Sequence, residues 1–204
     1  MQVKDKKMYH LHKSNEYDKL WKVGNIIEVD DNYYGYASRI IDGFNTYSPL
    51  THDETLDTTI YNYLQNKELD QRELIRLLIA ARALIYDSNI LKREIALEEL
   101  RKEKFSDLPS RKHSLFVMTK ESINYWKNSL VPHNKQHTLA LFQLSLTGNL
   151  FRSNAALLPY SETSFEEAKK HSVYYWNPDL TSTDDSKDEY LFRGEAKIIK
   201  KINL

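Results

Sequence analysis

The run HTLALFQLSL, residues 137–146, constrains the fold more than any other stretch. Side chains of an extended chain alternate between two faces, so Ala140, Phe142, Leu144 and Leu146 share one side and Leu139, Leu141, Gln143 and Ser145 the other. One face is wholly apolar and the other half apolar, the pattern of a central strand that needs neighbours at both edges. Candidate neighbours lie at both ends of the chain. Near the start, MYHLHK and NIIEV flank a polar turn around residues 13–19, the second strand being entered through Gly24. Near the end, EYLFRGEAKIIKKI reads as a strand pair or a bulged strand, and Ser114 to Thr119 forms a further short strand before a helix that Thr119 is placed to cap. TGNLFRSN, after the central run, reads as a turn followed by a short extended piece.

Between the first and later strands the period changes. Residues 30–50, rich in Tyr, Asp, Asn and Gly, read as an irregular loop. Thr51 and Glu54 then have capping-box spacing, with Leu56, Ile60, Tyr63 and Leu64 on one helical face. Asp70 and Glu73 repeat the signature before ELIRLLIAARALIY, where Leu74, Leu77, Leu78, Ala81, Leu84 and Ile85 are too dense for a solvent-exposed helix. The periodicity predicts a buried helical layer from Thr51 to Phe105, interrupted near Asp87–Asn89. Ser164 with Glu167 caps a last helix, FEEAKKHSVYYW. Strands, then helices, then strands separated by short helices make an α+β domain with helices gathered on one side.

A chain of 204 residues with 41% hydrophobic content fits a single core, so residues 1–204 are expected to form one domain. Lys+Arg and Asp+Glu both number 29, which leaves no overall field to concentrate the protein on nucleic acid or anionic membrane. Without cysteine there is no disulfide, thiolate nucleophile or Cys-type zinc site. No stretch approaches the roughly 18 apolar residues of a spanning helix, and MQVKDKKMYH lacks a signal-peptide core. The expectation is a soluble, cytoplasmic protein without a membrane partner. There is no Gly-rich phosphate loop and no Gly-x-Ser-x-Gly elbow. His10 and His12 share a strand face, but no carboxylate or third histidine at ligand spacing accompanies them.

YHLHK…WKVGNII at the start, SLFVMTKESINYW in the middle and EYLFRG…KII at the end resemble the three signature segments of the ADP-ribosyltransferase superfamily. The first of these is similar to the opening of the rifamycin-modifying members. The chain also resembles a bacterial family with the order YH…E..R…PSR…YW…E.LF.G. Here that order falls on Tyr9-His10, Glu98 and Arg101, Pro109-Ser110-Arg111, Tyr175-Trp176, and Glu189 to Gly194. The resemblance implies a split β-sheet enclosing an NAD cleft, with the helical layer as an insertion, and NAD as co-substrate. It implies Glu189 as the catalytic carboxylate that holds the ribose 2′-hydroxyl and steadies an oxocarbenium-like transition state. It places His10 against the ribose or the nicotinamide amide. Arg111, with Ser110, is set on the pyrophosphate, Phe116 is stacked on nicotinamide, and Tyr175 is either a pocket wall or core packing, which is also the role expected of Trp176.

Lys187 stands where arginine-modifying members carry the first Glu of Glu-x-Glu, which disfavours arginine as acceptor. The acceptor class is open, and by analogy such a protein is a toxin or defence effector with an antitoxin or other partner. The alternatives at single residues are a strand histidine held by backbone for His10, and a salt bridge to Glu98 or Glu99 for Arg111. For the chain as a whole, the alternative is a non-enzymatic NAD- or nucleotide-binding or interaction module on the same scaffold.

Overall fold

A computed structural model describes residues 1–14, 19–43, 61, 65, 71–130, 138–177 and 184–204. Five strands form one antiparallel sheet: β1 (Gln2–Ser14), β2 (Ile26–Val29), β3 (Leu115–Val117), β4 (Thr138–Asn154) and β5 (Asp188–Ile202). Their order is β1-β4-β5-β2, and β3 shares the outer edge of β5 with β2. Leu115 to Val117 pair with Phe192 to Tyr190, and Ile26 to Val29 pair with Lys197 to Gly194. Just past β3, Met118 and Tyr9 exchange backbone hydrogen bonds of 2.8 and 2.9 Å, which ties β3 to β1 as well. The sheet therefore curls until its first strand meets its third. The α+β class holds, while the strands pair in one sheet where two around a cleft are expected.

The central strand is as the alternation predicts. Phe142, Leu144 and Leu146 join Met8, Leu115, Val117, Phe192 and Ile198 in the inner core, while Leu141 faces outward with Leu11 and Met118. But β4 runs on through Gly148 to Asn154, where a turn is expected. Gly148 pairs with Gly194 of β5, both at positive φ, and neither has room for a β-carbon. Two bare backbones meeting here let the strands approach closely, at the point where the edge of β5 passes from β3 to β2. Tertiary pairing overrides the local turn signal of Gly-Asn.

Four α-helices are described: α1 (Tyr36–Gly43), α2 (Gln71–Lys104), α3 (Ile123–Ser129) and α4 (Phe165–Trp176). α1 lies inside the stretch expected to be irregular, because Ala37 and Ser38 are fully buried. α2 is continuous through Asp87–Asn89, where a break is expected; Asp87 and Ser88 stay in solvent and Asn89 accepts from Lys92. Ser122, not Thr119, occupies the N-cap of α3, and its hydroxyl bonds Asp185 instead of the helix. Ser164 caps α4 as expected, accepting from the Glu167 amide. The helix expected over 51–64 lies, apart from Tyr61, outside the described residues, as does Asp70.

α2 and α4 pack on the outer face of the sheet through Leu97, Leu100, Tyr175, Trp176, Phe151 and Leu191. Trp176 is fully buried and its indole N–H donates to the Leu97 carbonyl. Burying a side chain of this size stabilises by roughly 1.5–3 kcal/mol, so this seam anchors α2 to the sheet. None of the described helices is long and apolar enough to cross a membrane.

Candidate functional site

β5 begins with Asp188 and Glu189 pointing to opposite faces. Asp188 is held by Arg152 at 2.7 Å and by the Asn154 amide at 2.9 Å. Glu189 shares its face with Leu191 and so points at the helices, where it meets Arg111. Arg111 is brought there by a braced turn. Glu98, on α2, receives two hydrogen bonds from Arg101 (3.0 and 2.8 Å) and one from the Ser110 hydroxyl (3.0 Å). The remaining arm of Arg101 donates to the carbonyls of Ser106 and Leu108. Ser114 and Ser38 close the turn on the carbonyls of Ser110 and Lys112.

At the end of this turn Arg111 is buried, and all three of its nitrogens are engaged. Nε and Nη2 donate to Glu94 at 2.8 and 3.2 Å, and Nη1 donates to Tyr175 Oη and Glu189 Oε1. The Tyr175 hydroxyl in turn donates to Glu189 Oε1. The guanidinium lies between the rings of Tyr175 and Phe116, 4.7 and 4.9 Å from their centroids. Burial alone would lower the pKa of Arg111, but the charges of Glu94 and Glu189, with the hydrogen bonds to Glu94, raise it well above its usual value. Burial raises Glu94, yet the charge and hydrogen bonds of Arg111, helped by Arg93, hold it below the ordinary carboxylate range. Burial pushes the Tyr175 phenol well up, so it remains a neutral donor. Two carboxylates, Arg111 and the adjacent Arg93 leave the cluster close to neutral.

His10 is elsewhere. Met8, His10 and His12 alternate onto the inner face of β1, and His10 stacks on Trp21 at 4.4 Å, as does His12. Its Nδ1–H donates to the Phe116 carbonyl at 2.7 Å. The Phe116 ring points to the other side of β3, towards Arg111. His10 and Glu189 thus project from opposite faces of the sheet, with β3 between them. The reason is parity: His10 follows Met8 into the inner core, whereas Glu189 precedes Leu191 on the helix side.

Arg111, Phe116, Tyr175 and Glu189 do come together, while the hydroxyl of Ser110, next to Arg111 in the chain, turns to Glu98 outside the cluster. Arg111 forms a salt bridge, but to Glu94 and Glu189, not to Glu98 or Glu99. Glu94 was missed; its i, i+4, i+7 spacing with Glu98 and Arg101 on one helix face was the available signal. An open cleft of about 820 Å³ lies beside the braced turn, lined by Glu98, Arg101, Ser110, His113, Gly148 and Arg193 among others. Of the site residues expected from sequence, only Ser110 lines it.

The family model described as a protein of unknown function, DUF2441, matches residues 8–204. The chain belongs to the DUF2441 family. No curated protein matches it. The DUF2441 match starts at Met8, within β1, and takes in every member of the Arg111 network.

Desolvation pulls the His10 pKa down from 6.5 to about 3, against the raising effect of its bond to Phe116. Below pH 6.5 the unfolded chain takes up a proton that the folded chain refuses, so this group lowers stability as pH falls from about 6.5 towards 3. The limiting slope for one such group is about 1.4 kcal/mol per pH unit. Urea unfolding at pH 7, 6 and 5 is expected to show a slope that is smaller by most of that amount in His10→Gln. Equal slopes would place His10 in water.

Proposed function

We propose that this DUF2441 domain is a binding or interaction module, not a working NAD-dependent transferase. The supporting observation is the state of Glu189: 4% exposed, bonded by both Arg111 and Tyr175, and on the sheet face opposite His10. Cleaving nicotinamide from ribose needs a carboxylate free to hold the 2′-hydroxyl and face the developing cation. Here the carboxylate is spent on holding β5 to α2 and α4. Arg111 likewise has its nitrogens committed, where pyrophosphate binding needs free donors.

The test is incubation of the protein with labelled NAD and cell lysate, scored for nicotinamide release and for label on protein or nucleic acid. The module reading expects neither, and expects Glu189→Gln to reduce stability by about 1–3 kcal/mol through a weakened buried ion pair, with no effect on NAD. Transfer that Glu189→Gln lowers by 10² or more in a folded protein would overturn it.

One observation favours a second reading, the mono-ADP-ribosyltransferase: Arg111, Phe116, Tyr175 and Glu189 are scattered over the sequence and meet in one cluster. In that reading NAD pyrophosphate competes for Arg111 and frees Glu189, opening a split-sheet cleft. Nicotinamide then leaves with the C1′–N bond electrons, and the acceptor nucleophile bonds C1′. A toxin or defence role, with an antitoxin as partner, belongs to this reading alone. Nicotinamide release from NAD by the wild type separates the two, since a module can hold NAD but only the transferase breaks its C1′–N bond.

A further inference from the structure

We infer that Arg93, on α2 where α1 packs against it, is a carboxylate-binding residue whose ligand is an aromatic carboxylate; this rests on the binding-module reading and names a ligand for it. Arg93 stands beside the Arg111 network without being needed by it. Glu94 already accepts two hydrogen bonds from Arg111, at 2.8 and 3.2 Å, and Arg93 adds one longer contact of 3.3 Å through Nη2. The Arg93 Nε–H is buried and has no partner among the described residues. It is the one buried side-chain nitrogen or oxygen among them of which this is true. The large majority of buried side-chain donors are paired, because an unpaired one loses its bond to water and gains none. The group can still be reached from solvent, since the Arg93 side chain is 18% exposed. Nη2 commits one hydrogen to Glu94 and keeps a second, so Nε–H and Nη2–H form a two-point edge of the kind a carboxylate fills with parallel hydrogen bonds.

The surroundings select the ligand. Tyr36, the first residue of α1, sets its ring edge-on to Phe116 at 6.0 Å and is itself 46% exposed. Its phenol is pushed up to about 12, by burial first and Glu94 second, against the pull of Arg93 and Arg111. At neutral pH it is therefore an un-ionised hydroxyl close to the Arg93 edge. Tyr86, also exposed, lies two helical turns before Arg93 on the same face of α2 and acts on the Tyr36 phenol as well. Two aromatic rings beside one cationic edge suit a flat ring that carries a negative group. Charge decides which group. Arg93 and Arg111 balance Glu94 and Glu189, so a monoanion leaves the cluster one charge negative, whereas a phosphate dianion leaves it two, next to the buried Glu94. A planar carboxylate adds the smaller charge and matches the fork.

Titration with sodium benzoate, followed in nitrogen–proton correlation spectra of the arginine side chains, tests this against sodium chloride at equal ionic strength. The Arg93 Nε–H signal, assigned by its absence from Arg93→Lys, is expected to move as benzoate saturates the site in the millimolar range. Arg93→Lys keeps the charge without the fork and should weaken benzoate about fivefold. Arg93→Gln removes both and should weaken it about tenfold or more, and Tyr36→Phe, which loses a neutral donor, about threefold. Acetate and inorganic phosphate should each bind more weakly than benzoate. An Nε–H signal that benzoate leaves in place, binding that Arg93→Gln leaves unchanged, or acetate or phosphate binding as tightly as benzoate overturns the proposal. The nicotinamide-release assay on the same preparations keeps the two readings apart. A protein inert both to benzoate and to NAD ends the Arg93 site alone, and one that binds benzoate at Arg93 yet releases nicotinamide ends the module reading alone.

Discussion

Arg111→Met is expected to lower the unfolding free energy by about 3–5 kcal/mol, the scale for removing one partner of a buried ion pair. The guanidinium is 4% exposed at its side chain and stands between Glu94 at 0% and Glu189 at 5%. Methionine fills much of the volume between Phe116 and Tyr175 but leaves both carboxylates in a dry seam, with Arg93, 3.3 Å from Glu94, the one nearby cation among the described residues. The acid limb should change as well. Glu94 has a depressed pKa in the fold, so its contribution is present above about pH 4.5, the unfolded value, and is lost as pH falls through the lower folded value. In Arg111→Met that contribution is gone at neutral pH, and the variant should unfold at a higher pH than the wild type. Arg111→Lys keeps the charge but cannot fork to Glu94 while reaching Glu189, and should fall in between. Urea titration followed by tryptophan fluorescence measures all three. A variant as stable as the wild type would mean that Arg111 is a ligand-facing group, the role expected from the family resemblance.

Alanine at Gly148 or Gly194 is the second large effect, expected at about 3 kcal/mol or more, because a backbone clash is added to an unfavourable dihedral. A β-carbon on Gly148 would run into the Arg193 carbonyl oxygen and sit 2.9 Å from the Gly194 α-carbon; on Gly194 it would run into the Thr147 carbonyl and lie 2.8 Å from the Gly148 α-carbon. Neither neighbour is a side chain that can swing away, and their φ values are +150° and +131°. Gly24 is the control. Its φ is +95°, but nothing lies within 4 Å of an added β-carbon, so Gly24→Ala should lose only about 1 kcal/mol. Thermal melts of the three variants decide the matter. Equal losses at Gly24 and Gly148 would show that the dihedral alone matters and that the two strands do not meet as closely as described.

The same glycines mark a limit of local reading. Gly148-Asn149 is a turn dipeptide by its own preferences, and β4 passes straight through it because Gly194 supplies a partner with equally little bulk. Asp87 to Asn89 likewise reads as a helix break, and α2 continues because those residues face water while the turns beyond them, Ile90 onward, are buried. α1 was hidden for a related reason: it has no acidic first turn or basic last turn to mark its ends, and the burial of Ala37 and Ser38 supplies what those end signals lack. At the site, the motif order brought Arg111, Tyr175 and Glu189 into view, but not Glu94, which stands one helical turn before the motif's Glu98.

What the sequence determined alone is what depends on near neighbours along the chain: the two faces of β4, the Ser164 cap of α4, the helical period of α2 and the α+β class. These follow from a strand repeat of two and a helix repeat of 3.6, which any extended or helical backbone imposes on its side chains. Tertiary structure decided which faces meet. Glu189 bonds Arg111 across 78 residues because β5 pairs with β3 in a register that aims its odd positions at the helices. His10 is turned away from them because β1 enters the same sheet with its even positions inward. A shift of one residue in either register would exchange those faces, and register is set by the packing of the whole sheet, which no local stretch of sequence contains.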